Sequence, residues 1–141
     1  SCRKMACFSD TVIRSACELI LSSYLFVNAP RMCRLLHFLV EKAIDGDPKD
    51  TCEYAIGIEV FDRSAATYNT AEDPIVRVQV GRLCEKLKNY YATPDAVSDI
   101  EISIPLGSYL PVFRKFFGAV LDDRREQALA IQPITCITQC E

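Results

Sequence analysis

The sequence predicts a mainly α fold with a β-hairpin towards its C-terminal end, and three observations carry that expectation. Val76, Val80, Leu83, Leu87 and Tyr90 recur at spacings of four, three, four and three, which places them on one helix face. Ile100-Glu-Ile-Ser-Ile104 alternates apolar and polar residues as a half-buried strand does. Upstream, two further helical stripes are bounded by cap and stop signals.

Taken in order, residues 1–9 read as an irregular lead-in. Val12, Ile13, Ala16, Cys17, Ile20, Leu21 and Tyr24 predict a first helix from Asp10 to near Phe26. Asn28-Ala-Pro30 offers a capping side chain and a first-turn proline for a second helix through Ile44, stopped by Asp45-Gly-Asp-Pro48. Thr51 is expected to cap a short third helix over 52–61, and residues 63–72 form a polar loop. Asp73 is the expected N-cap of a fourth helix running to Tyr91. Pro74 takes its first position, where a missing N–H costs nothing.

After a polar turn, strand 100–104 leads into Pro105-Leu-Gly-Ser108, with Gly107 able to take φ > 0. Tyr109-Leu-Pro-Val-Phe113 returns as the second strand, Pro111 confining it to an edge. Tyr109, Val112 and Phe113 are expected to hold the hairpin on the core. Residues 119–131 read as a fifth helix ended by Pro133. A long basic helix followed at once by a hairpin is the order of recognition helix and wing in a winged helix-turn-helix, here with extra N-terminal and C-terminal helices.

At 141 residues the chain fits one domain, placed at 10–115, with a helical extension and tail over 116–141. Half of the residues are hydrophobic and a quarter charged, a balance that argues against disorder. No apolar run reaches the eighteen residues of a membrane span, and no signal segment opens the chain, so the expected location is cytoplasmic. A net charge of −3 counts against nucleic acid, but the charge is unevenly spread. Residues 74–91 hold four Lys or Arg against one Glu.

That fourth helix is where chemistry is expected. Arg77, Gln79, Arg82, Lys86 and Lys88 fall mostly off its apolar stripe, and Arg and Gln are side chains that read base edges in a DNA major groove. Ser108 and Arg63 are lesser candidates for phosphate contact.

Residues 10–113 resemble the winged-helix module of bacterial proteins that often precedes a membrane segment and sensory or repeat domains. They are distantly similar to the OmpR/PhoB-type effector domain. The resemblance rests on Ile20-Leu-Ser22, Arg31, Arg34-Leu-Leu-His-Phe-Leu-Val-Glu41, Glu53-Tyr-Ala-Ile-Gly-Ile-Glu-Val-Phe61 and Asp73-Pro-Ile-Val-Arg-Val78. It continues through Arg82-Leu83, Lys86-Leu87, Tyr90-Tyr91, Pro105, Gly107-Ser-Tyr109 and Pro111-Val-Phe113. It implies DNA binding, with the fourth helix in the major groove and the hairpin on phosphate or minor groove. The chain departs from the family where Cys84, Glu85 and Leu106 stand in place of basic residues. Each lost cation removes about one counterion-release unit of affinity, and Glu85 adds repulsion.

The eight cysteines are Cys2, Cys7, Cys17, Cys33, Cys52, Cys84, Cys136 and Cys140. Cys17, Cys33 and Cys84 lie on or beside apolar stripes, where a free thiol packs as a small hydrophobe. Cys84, between Arg82 and Lys86, is also a redox-switch candidate, since nearby cations lower a thiol pKa. Cys2 and Cys7 with Cys136 and Cys140 would make a four-thiolate site if the termini met. Their four and three intervening residues are not the usual two-residue knuckle, and no cofactor is expected. The single histidine, His37, has no spaced partner, and no phosphate loop, nucleophile elbow or metalloprotease motif occurs, so no enzymatic activity is expected.

The expectation is therefore a DNA-binding transcriptional regulator, acting on duplex DNA as a homodimer because one thinly basic module seldom reaches useful affinity. The alternative is a winged module turned to protein–protein contacts, thiol- or metal-responsive, without DNA binding.

Overall fold

The computed structural model describes residues 8–46, 51–94 and 96–116. Four helices and one antiparallel hairpin follow in chain order: α1 (Asp10–Leu21), α2 (Pro30–Asp45), α3 (Glu53–Phe61), α4 (Ile75–Tyr91), β1 (Ile100–Ser103) and β2 (Val112–Lys115). The helix expected over 119–131, Cys2, Cys7, Cys136 and Cys140 lie outside the described residues.

Ser9 caps α1, its hydroxyl accepting from the Val12 N–H at 3.2 Å. Ile13, Ala16, Cys17 and Ile20 face the core, while Val12 and Tyr24 are exposed. The helix stops at Leu21 rather than near Phe26. The Ser23 N–H turns to the Ile20 carbonyl instead of Leu19, whose carbonyl accepts from the Ser22 hydroxyl, and the Ser23 hydroxyl adds a bond to Ile20, so the last turn tightens and the helix ends. The turn that results puts Phe26 fully inside.

Pro30 opens α2 as expected, but Ala29 holds the cap position without a side-chain bond, so Asn28 is not the cap. Gly46 ends the helix at φ +75°, its N–H donating to the Lys42 carbonyl, the left-handed stop that glycine permits. The cap of α3 is Cys52, whose sulfur accepts from the Ala55 N–H at 3.4 Å, and Thr51 is buried beside it. Arg34 clasps the end of α3, donating to the Glu59 carbonyl at 2.8 Å and pairing with Asp62 at 3.2 Å.

The loop over 62–74 folds back on α3. Tyr68 lies so close to Gly57 that a Cβ there would collide with its ring edge and hydroxyl, and Tyr54 stacks on it with centroids 5.5 Å apart. The α4 helix then begins one position later than expected. Pro74 occupies the cap position while the Asp73 carboxylate accepts from the Ile75 N–H at 3.2 Å.

The inner face of α4 is the expected stripe: Val76, Val80, Leu83, Leu87 and Tyr90 are all buried. They meet Leu35, Leu36, Leu39, Ile56, Val60 and the inward residues of β1, Ile100 and Ile102, in a single core. Ile100 pairs with Lys115, Glu101 with Arg114, Ile102 with Phe113 and Ser103 with Val112. The return strand thus starts at Val112 rather than Tyr109. Pro111 has no N–H for the ladder, and the Ser108 hydroxyl engages the Leu110 N–H at 3.1 Å. Tyr109 and Phe113 pack against the core, but Val112 is exposed and does not anchor the hairpin.

A two-stranded ribbon needs packing to persist. Tyr91 provides it: its hydroxyl accepts from the Ile102 N–H at 2.9 Å and donates to the Ile100 carbonyl at 3.3 Å, with Phe116 edge-on to its ring. Among the described residues, no helix is long and apolar enough to cross a membrane.

Candidate nucleic-acid interface

Because α4 buries one face, its other face is fixed: Arg77, Val78, Gly81, Arg82, Glu85, Lys88 and Asn89 are exposed. The expected contact residues divide sharply between exposed and internally engaged positions. Arg82 and Lys88 stand in solvent, and no hydrogen bond or ion pair engages either among the described residues.

Gln79 does not belong to this surface. It is only 8 % exposed, because position 79 lies three after Val76 and four before Leu83 and so falls on the apolar stripe. Lys86 is drawn the other way, its ammonium donating to the Leu25 carbonyl at 2.8 Å above the Phe26 ring. Arg63 is neutralised by Asp73 at 2.8 Å, and this contact, with the bond from the Ile75 N–H, holds the Asp73 carboxyl below the usual aspartate range.

Arg77 is half exposed but committed. One guanidinium nitrogen lies 3.2 Å from the near-buried oxygen of Glu53 and donates to the other oxygen at 3.4 Å, while a second donates to the Thr70 carbonyl at 3.1 Å. An exposed ion pair contributes roughly 0–1 kcal/mol, whereas stranding a desolvated carboxylate costs about 1–3 kcal/mol or more. Glu53 is the desolvated partner, with a side chain 19 % exposed. Arg77 therefore stays with it, which leaves Arg82 and Lys88 as the α4 cations without an internal hydrogen bond or ion pair among the described residues.

Beside this face runs a groove of about 630 Å³, bounded by α4 at Arg77, Val80, Gly81, Cys84 and Lys88 and by the hairpin loop at 104–109. Leu106 projects from that loop fully exposed. Gly107 at φ +82° and the Ser108 N–H donating to the Pro105 carbonyl at 3.2 Å hold the loop in shape. The Ser108 side chain is exposed, although its oxygen already accepts from Leu110.

Cys84 departs from the redox expectation. Its thiol is half-buried, 3.9 Å from the Ile104 carbonyl, and burial pushes its pKa up against the opposing pull of Lys88. The expected activating neighbours are otherwise placed, Arg82 in solvent and Lys86 on Leu25. Cys17 is deeper, its thiol pushed up to about 12 by burial, and the Cys33 thiol donates to the Phe26 carbonyl at 3.1 Å. His37 is exposed on α2. Among the described residues no cluster of three or more His, Cys, Asp or Glu could hold a metal.

Local spacing signals Gln79 but not the partners of Arg77 and Lys86, which are 24 and 61 positions away. Nothing in the sequence pattern marks the groove or the part Glu53 plays. The chain matches no known family model, curated protein or solved structure at a significant level.

Proposed function

We propose that the chain binds duplex DNA as a winged helix-turn-helix regulator of bacterial type, presenting the solvent face of α4 to the major groove and the hairpin loop to the flanking backbone. The observation that carries this reading is the pair Arg82 and Lys88, exposed and without an internal partner among the described residues, on the helix that precedes the hairpin. Gly81, next to Arg82 and two turns before Lys88, leaves open space where a side chain would stand, which favours close approach to a base edge or sugar.

Two available cations on α4 per protomer are few. At roughly 0.9 units of log–log slope per phosphate, they weaken binding about twelve-fold when salt rises four-fold. A symmetric dimer raises that to about 150-fold, so function as a homodimer on a two-fold site belongs to the reading. The test is a titration of random-sequence duplexes at several salt concentrations. Affinity falling steeply with salt supports the reading, and absence of binding at low salt overturns it.

The second reading is a protein-interaction module on the same scaffold. It is favoured by the internal engagement of Arg63, Arg77, Gln79 and Lys86, together with exposed Val78 and Leu106 where a nucleic-acid interface would use cations.

A further inference from the structure

We infer that the groove between α4 and the hairpin loop docks an acidic peptide segment of a partner protein, one that seats a large apolar side chain on the groove floor and sets a carboxylate against Lys88. The inference rests on the second reading above and gives it a partner chemistry.

The groove has a floor and a handle. Val80, Cys84, Ile104 and Tyr109 supply apolar surface along its base. Leu106 forms a wall that is fully exposed, yet held in place by the Pro105–Ser108 turn bond and the left-handed Gly107. A partner that covers Leu106 removes an aliphatic side chain from water, and the turn has already fixed the backbone that carries it. The bare backbone at Gly81 allows the partner chain to lie close.

Charge then selects the partner. The lining carries two cations and no carboxylate, in a chain whose net charge is −3. Arg77 at one end shares its charge with Glu53, whereas Lys88 at the other has no acidic partner among the described residues. An occupant completing this surface brings an anion to Lys88 and hydrocarbon to Leu106. Bare duplex supplies the anion but leaves the apolar floor and Leu106 facing a charged strand. A peptide with an acid beside a Leu, Ile or Phe satisfies both.

Display selection of random twelve-residue peptides on the immobilised protein tests this, with the winning peptides and a random duplex then titrated against variants. Arg82 lies outside the groove lining, so Arg82→Ala separates the two ligands. The expected result is a consensus pairing acidic with large apolar residues. Its affinity should fall ten-fold or more in Lys88→Glu and in Leu106→Ser but stay within two-fold in Arg82→Ala. Both groove variants alter exposed side chains, and an unchanged circular-dichroism melt shows that they remain folded. A consensus without acids, or one indifferent to Leu106, overturns the proposal while leaving protein binding in place. Selection of no peptide overturns the second reading with it. Duplex binding that is lost in Arg82→Ala and unmoved by Leu106→Ser, with no peptide selected, assigns the face to nucleic acid alone.

Discussion

The ammonium of Lys86 sits 2.8 Å from the carbonyl oxygen of Leu25 and 5.6 Å above the Phe26 ring, tying α4 to the turn that follows α1. A charge-assisted bond of this kind contributes about 1.5–3 kcal/mol. Lys86→Ala should lose stability of that order in a denaturant titration and leave the salt slope of duplex binding unchanged. A flattened slope with an intact melting curve would put Lys86 on the ligand instead.

Arg82 and Lys88 should behave in the opposite way. Each substitution to Ala is expected to lower the log–log salt slope by about one unit per protomer with little change in melting. The Glu53→Gln variant offers a gain: it frees Arg77 from its carboxylate, so duplex affinity and salt slope should both rise. A Glu53→Gln protein that binds no tighter would mean Arg77 cannot reach a phosphate even when released.

Gly57 and Tyr68 form a coupled pair. A Cβ at position 57 collides with the Tyr68 ring, so Gly57→Ala should cost about 1–3 kcal/mol by overpacking. With Tyr68→Ala already present the sign should reverse, because alanine exceeds glycine by about 0.5–1 kcal/mol inside a helix. A double-mutant cycle by chemical denaturation measures the coupling, and additive effects would refute the contact.

The Asp73 carboxyl titrates below its ordinary range in the fold, chiefly through the bond from Arg63. A depressed folded pKa favours the ionised state. The contribution is therefore complete above the ordinary aspartate pKa and disappears as the pH falls through the lowered folded value. Asp73→Asn should be less stable than the parent at neutral pH and converge with it in acid. Thermal melts across that range give the comparison.

Thiol reactivity should follow burial. Cys52 is exposed, whereas the thiols of Cys17 and Cys84 are pushed up by desolvation. Alkylation of the native protein at neutral pH, read by peptide mass spectrometry, should label Cys52 well before Cys17 and Cys84. Peroxide should alter ligand binding equally in the parent and in Cys84→Ser.

How far the fold could be read from sequence follows from the range of each interaction. The α4 stripe, the glycine stop after α2 and the positive φ at Gly107 are local, and each is found where spacing and residue type place it. The cap positions lie one residue later than expected, Cys52 for Thr51, Ala29 for Asn28 and Pro74 for Asp73, and of the three only Cys52 bonds through its side chain. The candidate site was less legible. A basic residue on a helix wheel shows its direction but not the carboxylate or carbonyl that the tertiary fold brings to it. Arg77 and Lys86 are both spoken for by groups far away in the chain. Gln79 was legible in principle, since its offset from Val76 and Leu83 is the apolar spacing itself.

The phenol of Tyr91 has one more effect. By occupying the Ile102 N–H and the Ile100 carbonyl, it fills bonding positions on the side of β1 away from β2. A short ribbon would otherwise offer that margin as a template for strands of neighbouring molecules. Through Tyr91, α4 thus also closes the outer margin of β1 to intermolecular β-pairing.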